Sequence, residues 1–98
     1  MGNFPGGSAW AMAKDIAEGV LLPTDRTFAR LEVGEIDQLA FELERALRDI
    51  RGVQPPLDDV AALQQRNRRI TRLTQGLNLL RANRSRRRPG AARPPGQG

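Results

Sequence analysis

The sequence predicts an all-α protein: an antiparallel helical hairpin with a short N-terminal helical segment and a disordered Arg/Pro/Gly-rich C-terminal tail. Three observations lead there. Apolar residues at Leu63, Ile70, Leu73, Leu77 and Leu80 are spaced 7, 3, 4 and 3, the heptad seam of a coiled coil. From Ile36 to Ile50 a second apolar stripe runs at helical spacing. Between the two stretches, Gly52-Val53-Gln54-Pro55-Pro56 cannot continue a helix.

Residues 1–7, MGNFPGG, show no periodicity and are expected to be disordered. Ser8 is placed to cap a short helix, since its hydroxyl accepts from free amides of the first turn. Trp10, Met12, Ala13, Ile16, Ala17 and Val20 share one side of that helix, with Lys14, Asp15 and Glu18 opposite. Gly19 weakens its end and Pro23 stops it. So short a helix is marginal alone. It either packs back on the hairpin or docks on a partner or membrane with Trp10 as anchor. A membrane binder would carry more basic residues on its polar face, so a membrane is the least favoured of these.

Thr24 or Asp25 caps the next helical stretch, RTFARLE, and a kink or break is expected near Val33-Gly34. Ile36, Leu39, Ala40, Leu43, Ala46, Leu47 and Ile50 then line one face of a helix over residues 35–51. Gly52 is expected to close it as a left-handed cap, with Arg51 near the negative end of the dipole. Phe41 lies off the stripe, placed to pack under residues 9–33 or to mark a partner surface.

The second arm is predicted over residues 57–83, opened by Pro56 and with Asp58 and Asp59 at its positive end. A short loop between amphipathic helices makes them antiparallel neighbours. The arms are unequal, roughly 25 Å against roughly 40 Å at 1.5 Å per residue. Residues 9–33 or another chain must therefore cover the far end of the seam, at Leu77 and Leu80. Asn67, at the seam's edge, either fixes register across the interface or faces solvent. One domain over residues 8–83 is expected, followed by a disordered basic tail over residues 84–98.

Composition restricts function. The 98 residues contain no cysteine, histidine or tyrosine, and Lys14 is the single lysine. Disulfides, thiolate metal sites and the commonest general base are thereby excluded. Ser8 and Ser85 have no histidine to activate them, and no Gly-rich phosphate loop exists. A non-enzymatic protein without cofactor or metal is expected. No apolar run approaches the roughly 20 residues that span a bilayer. The first 25 residues, with one base and three acids, suit neither a secretory signal nor a transit peptide. Gly6 breaks the myristoylation pattern that Met1-Gly2 opens. The expectation is a soluble cytoplasmic protein, with a nuclear site open if the source is eukaryotic.

The net charge of +5 divides sharply. All 11 acids lie in residues 1–59 with 6 bases; residues 60–98 hold 10 arginines and no acid. Either the second half meets an anionic partner or the halves pair with each other. Arg68, Arg69 and Arg72 on the long helix, with Arg84, Arg86, Arg87 and Arg88 beyond it, form the candidate site for phosphate or an acidic partner. No aromatic residue stands among them to stack on bases. Binding of nucleic acid or a ribosomal surface would be weakly specific and steeply salt-dependent. The other outcomes are a nuclear-localisation signal or a solvated face with a solubilising tail.

A core of roughly 50–60 residues is small enough that association with another protein or with itself is expected. Its candidate surface is the seam Leu63, Asn67, Ile70, Leu73, Leu77 and Leu80, with Trp10 and Phe41 as exposed anchors. Residues 64–82, with Arg66-Asn67, Ile70, Leu73 and Gly76-Leu77, resemble the closing helix of the flagellar export chaperones for hook-associated proteins. The resemblance implies an all-helical fold whose amphipathic helix shields an exposed helix of an export substrate.

Overall fold

A computed structural model describes Phe4 and residues 7–87. The expected disordered residues 1–3, 5–6 and 88–98, and Arg88 with them, lie outside the described residues. Four helices follow in order: α1 (Ala9–Glu18), α2 (Asp25–Ala29), α3 (Val33–Arg51) and α4 (Val60–Arg86). Helices α3 and α4 form the antiparallel hairpin, as the pairing of Asp37 with Arg84 and of Glu44 with Arg81 shows.

Each boundary has a local cause. Ser8 is the N-cap of α1, its Oγ accepting from the Ala11 amide at 3.1 Å. Thr24 and Thr27 make a reciprocal capping box at the start of α2. Glu35 reaches back to the Glu32 amide at 2.9 Å and opens α3, so the break falls just before Val33 and Gly34 sits inside the first turn. Asp59 caps α4 through the Ala62 amide at 3.1 Å, which starts that helix at Val60 rather than at residue 57.

The left-handed cap stands at Gly19 rather than Gly52. Gly19 has φ 79°, and the Val20 and Leu21 amides behind it both reach the Asp15 carbonyl. Gly52 stays right-handed at φ −77°. There the Gly52 and Val53 amides close the helix on the Arg48 and Ile50 carbonyls, and Arg66 of α4 donates to the carbonyls of Ile50 and Val53, at 3.3 and 3.1 Å.

Ala9, Met12, Ala13, Ile16 and Ala17 of α1 are buried against the hairpin, while Trp10 and Val20 remain exposed. Trp10 is the second helical residue, at the edge of the apolar face, and Val20 lies past the cap. Helix α1 runs antiparallel to α4: the Ala17 carbonyl accepts from Arg72, and Glu18 meets Arg69. Gly76 makes the approach possible, because a Cβ there would stand 3.3 Å from Ile16 Cγ2 and 3.5 Å from Pro23 Cγ. The chain then turns back along α4, and α2 sets Phe28 and Leu31 into the core near the helix end.

Residues 9–33 thus cover the far end of the seam. Leu73 and Leu80 are fully buried and Leu77 nearly so. These three leucines are closed inside the chain's own core and offer no surface to a partner, which corrects their assignment as partner-binding residues. Leu63 and Ile70 are half-buried. Asn67 faces solvent and sets no register. The buried polar residue of α4 is instead Asn83, 8% exposed, whose Oδ1 has no partner among the described residues.

The helical domain also extends past Asn83. Arg84 and Arg86 belong to the last turn of α4 and Arg87 is its C-cap, where a disordered tail was expected. Each of the three is held by a partner on α2, α3 or the turn between them, and those contacts carry the helix one more turn.

Candidate functional site

Apart from Arg68, the arginines of α4 and of its C-cap divide into two structural roles. Arg66, Arg72 and Arg87 donate to carbonyls at the ends of other helices: Ile50 in the last turn of α3 and Val53 beyond it, Ala17 at the end of α1, and Phe28 in α2 with Leu31 beyond it. The guanidinium fork suits this, since its several donors reach more than one carbonyl and its charge opposes the negative end of the dipole. Arg69, Arg81, Arg84 and Arg86 pair with Glu18, Glu44, Asp37 and Asp25 respectively. The acidic and basic halves of the sequence meet each other inside one chain.

This placement changes the standing of the proposed phosphate-binding set. Arg69, Arg72, Arg84, Arg86 and Arg87 all have partners within the protein, and Arg72 and Arg87 are half-buried. Among the described members of that set, Arg68 alone is an exposed cation without such a bond. A phosphate would have to compete for the others.

The remaining candidates, Trp10 and Phe41, come together. They line a groove between the start of α1 and the first half of α3, with Phe4, Ser8, Ala9, Gly34, Gln38 and three carboxylates, Glu35, Asp37 and Glu42. Trp10 is 59% exposed and Phe41 57% exposed. Phe41 was expected to pack beneath residues 9–33; it stands beside Ser8 and Trp10 at the groove's edge, with most of its ring in solvent. A position near α1 but off the apolar stripe gives it a neighbour without enclosure. Phe4 was not expected here, since its Gly- and Pro-rich surroundings show no helical period. Its only signal in the sequence is being an aromatic in a chain that has four.

The groove is acidic. Among the described residues no basic side chain lines it. Its carboxylates are ordered from outside: Arg84 bonds Asp37, and Arg45 stands 3.8 Å from Glu42. The Arg84 hydrogen bond and charge hold the Asp37 carboxyl below its ordinary range. Beside the groove, the Lys14 ammonium sits 5.5 Å from the Trp10 ring centroid, a cation–π contact. A second exposed apolar set, Val53, Leu57 and Val60, marks the hairpin tip.

The fold and this groove define an all-α helical hairpin closed by two short helices. No helix among the described residues is long and apolar enough to cross a membrane. No family model, curated protein or solved structure matches the chain.

Proposed function

We propose that this protein is a non-enzymatic helical interaction module, an adaptor, chaperone-like or assembly subunit, that binds another protein through the Trp10–Phe41 groove. One observation carries this. Three of the chain's four aromatic residues line the groove, and Trp10 and Phe41 are largely exposed there while the core closes without them. A protein so poor in aromatics gains nothing in stability from leaving two of them in water, whereas interfaces draw their energy from such residues. The expected seam now serves the interior, so the partner surface moves to the opposite side of α3.

Alanine replacement at both positions tests the proposal. The Trp10→Ala/Phe41→Ala chain should keep its helicity and melting temperature, because both side chains are largely exposed. A partner isolated with the wild-type chain should be lost from the double variant and kept by Leu22→Ala, a control on a still more exposed apolar residue outside the groove. Retention of the partner by the double variant would place the binding surface elsewhere.

A further inference from the structure

The lining of the groove selects among ligands. Among the described residues it combines aromatic faces with three carboxylates and no base, and its Trp10 ring already holds a cation, the Lys14 ammonium. Resting on the interaction-module proposal above, we infer that the groove takes an extended peptide segment of a partner protein bearing arginine and proline. Proline-containing segments adopt the polyproline II form without a hydrogen-bond ladder and dock on aromatic-lined grooves at small entropic cost. Trp10 and Phe41 offer faces for pyrrolidine rings and for guanidinium planes. Glu35, Asp37 and Glu42 supply the opposite charge, and Arg84 on Asp37 shows how a guanidinium meets that rim, through two parallel bonds.

Other occupants fit less well. A purely apolar helix would take these carboxylates out of water without offering them a charge or donor of its own. A phosphate backbone would meet three acids of its own sign. The charge of the groove therefore points to a basic ligand, and its aromatic residues to a flat-faced, extended one.

Trp10 is the sole tryptophan, so its emission reports on the groove directly. The full chain is titrated with a synthetic peptide of Arg-Pro-Pro repeats, with Glu-Pro-Pro repeats and a leucine-rich amphipathic helical peptide as comparisons. The Arg-Pro-Pro peptide should give a saturable change in Trp10 emission, weakened at least ~10-fold by Phe41→Ala. Glu42→Gln should weaken it too, and the affinity should drop as salt rises. Circular dichroism establishes that both variants remain helical. No saturable response, or an equal response to the Glu-Pro-Pro peptide, overturns the inference. Binding of the helical peptide alone, abolished by Phe41→Ala, overturns the ligand class while leaving the groove as the interaction site. Partner retention by the double alanine variant would remove the groove itself, a result separate from either.

Discussion

Arg84 and Asp37 face each other across the hairpin through two bonds, Nε to Oδ1 at 2.7 Å and Nη2 to Oδ2 at 3.2 Å. The pair joins the last turn of α4 to the first turns of α3 and stands at the rim of the aromatic groove. It gathers three features of the molecule: the pairing of an acidic half with a basic half, the extension of α4 into arginine-rich sequence, and the shaping of a candidate ligand site.

The same pair sets a pH dependence. The Asp37 carboxyl is lowered from its ordinary value of 3.8, first by the Arg84 hydrogen bond and further by its charge. A depressed carboxyl contributes stability that is fully present above its unfolded-state value and is lost as pH falls through the folded-state one. Wild type should therefore melt slightly above Asp37→Asn at neutral pH, and the difference should vanish in strong acid. Solvent screening keeps the effect small, since the Asp37 side chain is more than half exposed. A gap that widened on acidification would contradict this account.

Arg87 should govern the docking of α2. Its two terminal nitrogens donate to the Phe28 and Leu31 carbonyls; the Phe28 carbonyl also accepts from the Leu31 amide at 2.9 Å, so the loss falls mainly on Leu31. Arg87→Ala should speed amide exchange in residues 25–31 by roughly tenfold, corresponding to about 1.4 kcal/mol of local stability. Arg87→Lys should restore little, because a point charge cannot hold two carbonyls in the fork geometry. Equal exchange in the three proteins would assign α2 to packing alone.

Leu73 reports on the closed seam. It is fully buried, so Leu73→Ala should cost about 2–5 kcal/mol in denaturant unfolding. Leu73→Asp should abolish the fold rather than merely dissociate an assembly. A folded, fully helical Leu73→Asp chain would mean that the seam does not organise the core.

Two glycines in helices should respond oppositely. A Cβ on Gly34 meets nothing within 4 Å, so Gly34→Ala should stabilise α3 by roughly 0.5 kcal/mol. Gly76 lies against buried Ile16 and against Pro23, so Gly76→Leu should cost about 1–3 kcal/mol by forcing α1 away from α4. Thermal melts of the two variants decide the matter; equal shifts would argue against close approach at Gly76.

Asn83 is buried, with Oδ1 unpaired among the described residues. Replacing it with leucine, of similar length and branching, should raise stability by about 1–2 kcal/mol. A lowered melting temperature would show that the amide has a role that a methyl group cannot fill.

Helix order, the hairpin and its main apolar stripes are legible in the chain because they follow from short-range rules. The positions Ile36, Leu39, Leu43 and Leu47 share a face by helical geometry alone, and Ser8 and Asp59 announce their caps through their own hydroxyl and carboxylate. The unequal length of the two arms even requires a cover for Leu77 and Leu80. Which surface provides it does not follow from periodicity, since α1 and a partner chain would present the same apolar face. Tertiary structure decided that α1 and α2 close the seam, through Gly76 and Pro23 meeting across the core. It likewise decided the fate of the arginines: a basic run reads alike in sequence whether it meets phosphate, solvent or the carbonyl ends of its own helices. The groove stands last in this order. Phe4, Trp10 and Phe41 belong to three separate stretches of sequence, and only the placement of α1 beside α3 makes one surface of them.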